Sequence, residues 1–347
     1  MRRGFYSWDE AELPKAALEA RCARLQRAMA REKLDGLALY TNIARPAAVS
    51  WLIGFTPYWS EGLLFVPPAG APDFATALSK RVAEWMRAVT PVGALLTTPK
   101  PAEYFGRRLA ASGARRLGVL ELDMLPNVHA AELLDAAPEI ELVDASQMFC
   151  AERIQRDDAE RGLFAHTAVI AREALAQIDS AQNRNAFHML GAVEKSARDN
   201  RAEDVQVSLA PDLGRDAGFV RVDRAGDIGA AFAIRASVAY KSTWVRRTRS
   251  VSTDPALAAR FAALEATMDG AVARNDAGKN IGAQIVAALA QVSGAQLTSW
   301  SLEECRGSAP LQIVGGTGYG DVPGRACSVL TVHASVNGVN WVSSRPV

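Results

Sequence analysis

The sequence predicts an α/β domain followed by an α+β domain whose helices pack on a curved antiparallel sheet. Two observations carry this. Over roughly residues 1–150, short apolar strands alternate with helices, the pattern of a mostly parallel α/β sheet. Over 151–347 the pattern changes to long helices, alternating strands, two more helices and a strand-rich, glycine-rich tail. The 347 residues accommodate two domains at about 100–200 residues each. A composition of 49% hydrophobic and 22% charged residues is that of a globular chain with a sizeable core.

The elements follow in order. "PKAALEARCARLQRAMAREKL" puts Leu18, Cys22, Leu25 and Met29 near one helical stripe. "DGLALYT" is a buried strand, and "GLLFVPPAG" is another, stopped by Pro-Pro and Gly. "SKRVAEWMRAV" (helix), "GALLTT" (strand), "PAEYFGRRLAASG" (helix), "RRLGVLEL" (strand), "NVHAAELLDAA" (helix) and "EIELVDAS" (strand) complete the first domain. Next comes "DASQMFCAERIQRDDAERGLFAHTAVIAREALAQI", one or two long helices with Asp144 as N-cap. "AFHMLGAVEKSARDN", "PALAARFAALEATMDGAVARN" and "IGAQIVAALAQVSG" are further helices.

Bulk charge excludes some partners. A net charge of +1, with acidic and basic residues interleaved, gives no electrostatic basis for binding nucleic acid or a membrane surface. The four cysteines show neither CxxC pairing nor zinc spacing, and read as reduced thiols. "MRRGFYSWDE" lacks the apolar run of a signal peptide, and no uninterrupted apolar stretch reaches transmembrane length. The expectation is a cytoplasmic protein.

One stretch poses a problem. "FAIRASVAYKSTWVRRTRSV", Phe232 to Val251, alternates as two strands with a tight connection. It carries Arg235, Arg246, Arg247 and Arg249, and some of these must face inward. An unpaired buried cation costs several kcal/mol.

Taken in order, the motifs resemble the creatinase/aminopeptidase P family and its pita-bread fold over nearly the whole length. "ARLQRAMAREKLDGLALYT" with "SWLIGF" resembles the family's N-terminal domain. "ERIQRDDAERGLFAHTAVIAREAL" resembles the entry helix of its catalytic domain, and "AYKSTWVRRTRSV" the strand pair ending in a Thr-Arg-Thr type sequence. "GGTGYGDVP" resembles its Gly-His-Gly-Ile-Gly turn, and "SVLTVHASVNGVNWVSSRPV" its two final glutamate strands.

Metal-dependent members hold two cations with two aspartates, one histidine and two glutamates, and the bridged water is the nucleophile. Carried over by position, the first aspartate falls on Arg235 and the second, eleven residues on, on Arg246. The histidine falls on Thr317, the first glutamate on His333, and the second on Val342 or Ser343. The resemblance thus implies fixed positive charge where the family cages metal. Arginine stays protonated and ligates no metal, so no metal and no other cofactor is expected.

Two readings of Arg235 and Arg246 stand side by side: they pair with nearby acids in a dead cavity, or they clamp a substrate anion with guanidinium forks. His333 is a satisfied core residue or, beside two arginines, a neutral general base. Tyr240 and Trp244 are aromatic core or cavity walls that stack on a planar ligand. Thr317 and Tyr319 lie in a Gly-rich turn and offer hydroxyls to a ligand. Glu303, Glu304 and Asp321 are bases or partners for the arginines. Arg249 matches a family arginine outside the metal set. By analogy, a loop of a neighbouring subunit closes the pocket with Arg45, Trp51, Tyr58 or Trp59, which also implies a homodimer.

Two function classes remain. One is a metal-independent hydrolase cleaving a C–N bond in a small anionic substrate held by Arg235 and Arg246, with His333 moving the proton; a lyase reaction is a variant. Creatinase itself works without metal through a histidine, but the matching segment "DLGRDAGFVRV" contains none. The other is a non-catalytic descendant binding a small anion, a peptide or a protein partner.

Overall fold

The computed structural model describes residues 8–55, 60–91, 93–178, 185–222, 228–273, 280–320, 322–323 and 325–347. The chain forms two units. One spans the N-terminal part to Gly162 together with Cys305–Pro310; the other holds Leu163–Glu304 and Leu311–Val347.

The first unit runs α1 (Lys15–Arg31), β1 (Gly36–Thr41), α2 (Ala47–Ile53), β2 (Gly62–Val66), β3 (Asp73–Thr76), α3 (Ala83–Val89), β4 (Ala94–Thr97), α4 (Pro101–Ser112), β5 (Arg116–Val119), α5 (Asn127–Ala136), β6 (Glu141–Asp144) and α6 (Ser146–Arg153). Its sheet has the order β4-β3-β2-β1-β5-β6. The sheet is mixed: β2 runs antiparallel to both β1 and β3, and the remaining pairs are parallel. Two short elements, α2 and β3, carry too few residues to show a period and go unseen in the sequence. Phe65, Phe105, Leu109, Leu117 and Leu133 fill the core between sheet and helices.

The first unit extends past the expected limit at residue 150. Arg31 pairs with Glu152 of α6, and Arg21 of α1 pairs with Asp157 at 2.5 Å, which ties the segment beyond α6 to α1. The Asp144 carboxylate accepts from the Ser146 N–H (3.2 Å), while the N-cap backbone position of α6 is Ala145.

The second unit runs α7 (Asp158–Ala176, its first turn lying before the division), α8 (Ala186–Asp199), β7 (Asp204–Ala210), β8 (Ala231–Tyr240), β9 (Thr243–Ser252), α9 (Pro255–Ala273), α10 (Ile281–Leu289), β10 (Ala295–Glu304), β11 (Gln312–Gly316), β12 (Ser328–Val336) and β13 (Val339–Pro346). The sheet order is β11-β10-β12-β13-β9-β8-β7, with every pairing antiparallel. The β8–β9 connection is a two-residue turn with Lys241 and Ser242 both at positive φ (44° and 60°), as a type I′ hairpin requires. Asn337 and Gly338 join β12 to β13 the same way. Among the described residues no helix is long and apolar enough to cross a membrane.

Paired residues of an antiparallel sheet share a face, and neighbours along a strand alternate. One face carries α7 and α9. On it Arg249 donates to the Leu175 carbonyl of α7 (3.2 Å), and Tyr240 packs edge-on against His166. Arg345, 1% exposed, bonds Glu265 at 2.6 Å and Asp269 at 2.7 Å on α9. Removing one partner of a buried ion pair leaves the other charge uncompensated. Arg345→Ala therefore destabilises the domain by about 3–5 kcal/mol, read as a lowered urea midpoint with an unchanged slope.

Candidate functional site

The other face of the C-terminal sheet carries the site. Arg235 of β8 pairs with Thr248 of β9, Thr248 with Ser344 of β13, Ser344 with Thr331 of β12, and Thr331 with Ser301 of β10. This register row crosses the sheet on one face and is polar throughout. The Ser344 hydroxyl lies 2.8 Å from both the Thr248 and the Thr331 hydroxyls, so the buried members satisfy one another. One step to either side, the same face presents His333 on β12, and Arg246 with its register partner Ser237.

The two arginines have different fates. Nη1 of Arg246 lies 2.6 Å from each carboxylate oxygen of Glu303, and its Nε donates to the Ser237 hydroxyl at 3.1 Å. That guanidinium is braced across the sheet. Arg235 makes no hydrogen bond and no ion pair to any described residue, and its Nε is buried without a partner. Its guanidinium carbon sits 3.8 Å from the centre of the Phe219 ring. Burial, then the charge of Arg246, push its pKa down to about 10, with Glu303 pulling weakly the other way. The clamp expected of both arginines is thus corrected: Arg246 is spent on an acid, and Arg235 alone is uncommitted.

His333 makes no hydrogen bond to a described residue. Its pKa is held below the ordinary imidazole value by burial and then by the Arg235 charge, so the neutral form prevails at pH 7.

The remaining expected residues scatter. Tyr240 stands an odd number of residues from Arg235, so it faces the helices and is fully buried against His166; it does not wall this site. Trp244 shares the face of Arg246 but is 6% exposed, its indole N–H unpartnered among the described residues. The Thr317 hydroxyl accepts the Trp300 N–H at 2.9 Å and is occupied in closing the β10–β11 ladder. Tyr319 is 57% exposed in the turn after β11. Arg45 pairs with Glu121 at 2.6 Å and donates to the Ser308 hydroxyl at 2.9 Å, so its guanidinium is committed within the N-terminal unit. Trp51 is buried there. Trp59, Tyr58 and Asp321 lie outside the described residues.

Of the two candidates for the fifth inherited position, only Val342 lies on the site face. Val342 pairs with His333 on the site face, whereas Ser343 turns to α9 and bonds Glu265. The five positions therefore hold Arg235, Arg246, Thr317, His333 and Val342. Two permanent cations, an occupied hydroxyl and an isopropyl group leave one imidazole, which does not fit a divalent cation. Among the described residues no group of three or more His, Cys, Asp or Glu side chains is gathered to hold a metal ion.

Of the acids read as bases or partners for the arginines, Glu303 is the one that the β10–β12 register puts on the arginine face. One site residue, Phe219, has no signal in the sequence; it lies within "DLGRDAGFVRV".

Comparison with known proteins agrees with the fold. Residues 21–155 match the Creatinase/Prolidase N-terminal domain family. No curated protein matches the sequence. Among solved structures, the X-Pro aminopeptidase of Thermotoga maritima is 14% identical, with 92% of this chain and 93% of that one covered at a TM-score of 0.67. The prolidase of Thermococcus sibiricus is 14% identical (94% and 93% covered, TM-score 0.68). The Xaa-Pro dipeptidase of Bacillus anthracis is 17% identical (94% and 93% covered, TM-score 0.65). Residues 21–155 thus form a Creatinase/Prolidase N-terminal domain, and the chain as a whole shares the fold of these solved structures.

Proposed function

We propose that the C-terminal domain binds a small anionic molecule at Arg235 and hydrolyses a C–N bond in it without a divalent cation. The observation that carries this is the uncommitted, half-buried guanidinium of Arg235, beside a neutral and unbonded imidazole on the same face. A dead cavity has no reason to keep such a charge, since an apolar side chain of similar volume is more stable. An anion supplies the missing partner.

In this reading His333 takes a proton from water as the water oxygen adds to the substrate carbon. Arg235 stabilises the negative charge that develops. The C–N bond then breaks, and the proton passes from His333 to the leaving nitrogen. The peptidase fold of the solved relatives supports hydrolysis as the reaction class. The homodimer and the cytoplasmic setting belong to the same reading, on the resemblance and the composition.

One observation favours a second reading, a non-catalytic anion binder. Glu303, the carboxylate whose charge reaches Arg235, is tied in both oxygens to Arg246, which leaves His333 as the sole proton carrier named here.

Two experiments test the proposal. Incubating the chelator-treated protein with a metabolite extract should consume one anion and yield products that sum to it plus water. The rate should climb as pH rises through a value below 6.5 and stay level through neutrality. His333→Ala should abolish turnover and keep binding; a ligand bound but never consumed by the intact protein favours the binder. Arg235→Met should lose the ligand yet unfold at a higher temperature, gaining about 2 kcal/mol. A loss of stability would instead mark Arg235 as a structural residue.

A further inference from the structure

We infer that the site accepts a ligand bearing one negative charge on a planar pair of oxygens, a monocarboxylate, and that Glu303 is the residue that sets this limit. The inference rests on the anion site at Arg235 proposed above.

Geometry gives the shape of the ligand. Phe219 covers one face of the Arg235 guanidinium at 3.8 Å. Nε is buried, whereas the two terminal nitrogens are not among the buried atoms, so the open edge is the terminal one. A ligand therefore meets the guanidinium end-on, where the two terminal N–H groups run parallel and match the two oxygens of a carboxylate.

Charge gives the count. The charges that bear on Arg235 are those of Arg246 and Glu303. Glu303 cancels Arg246 through its two 2.6 Å contacts, and His333 is neutral. Among the described residues one positive charge remains for the ligand. A second negative charge on the ligand would find no free cation among them and would meet the Glu303 charge that already bears on Arg235. Were Glu303 uncharged, Arg246 would become a second anion-binding cation, and the same face would suit a dianion. Glu303 is thus a specificity determinant that acts through Arg246.

Butyrate and succinate test this, because both have four carbons and differ by one carboxylate. Their dissociation constants are measured by ligand-observed NMR at pH 7.5. The intact protein should bind butyrate more tightly. Glu303→Gln should shift the ratio toward succinate by about tenfold, the effect of one added unit charge at such range. The double variant Arg246→Gln/Glu303→Gln restores a single positive charge without leaving an unpaired arginine, and should return the ratio to its original value. A preference for succinate in the intact protein, or a ratio that Glu303→Gln leaves unmoved, would overturn the inference and leave the anion site standing. Binding of neither probe to the intact protein or the variants would overturn both.

Discussion

A guanidinium withdrawn from water must be compensated by an acid, by a carbonyl or by a π-face, and the seven-stranded sheet of this protein is organised around that demand. Arg345 has two acids on α9, Arg246 has Glu303 and Ser237, and Arg249 has a carbonyl near the end of α7. Among the described residues Arg235 has only the ring of Phe219, and Arg247, on the helix face, has no hydrogen bond or ion pair but feels the charges of Asp269 and Glu265. Arg345, Arg246 and Arg249 thus help hold the sheet together, while Arg235 is held in place by its strand and left short of a partner. That imbalance answers why a sheet should turn arginines toward its own site: one of them is a brace, and the other lacks the charge that would neutralise it.

The rest of the site face fits this arrangement. Where the resemblance implies carboxylates converging on metal, this chain sets guanidinium groups, a hydroxyl row that satisfies itself and an imidazole unbonded among the described residues. The row of Thr248, Ser344 and Thr331 allows the sheet to be polar without leaving those hydroxyls orphaned. In the function proposed above, chemistry on this face works through hydrogen bonds and fixed charge, with a small anion as ligand and His333 as the proton carrier.

Much of this was legible in the sequence because strand periodicity and motif order survive where identity does not. The order of elements follows from pattern, and Arg235, Arg246 and His333 were singled out by the resemblance. Face assignment was legible too, since Tyr240 is five residues from Arg235 and must point the other way along one strand. Which of the three candidate acids pairs with Arg246 was not legible. Glu303 lies fifty-seven residues away on β10, and only the order β10-β12-β13-β9 brings it into reach. The commitment of Arg45 to Glu121 and Ser308 was hidden for the same reason, because segment 305–310 joins the N-terminal unit from far along the chain. Phe219 had no signal of its own. It stacks on Arg235 from a loop that carries no period.

The account turns on the uncommitted guanidinium of Arg235. A crystal structure grown in bromide, a heavy monoanion with an anomalous signal, tests it most directly. The expected result is a bromide within hydrogen-bond distance of the terminal nitrogens of Arg235, none on Arg246, and the Arg246–Glu303 pair unbroken. A carboxylate of the protein itself seated against Arg235, with no bromide there, would show the charge to be internally paired and would contradict the account.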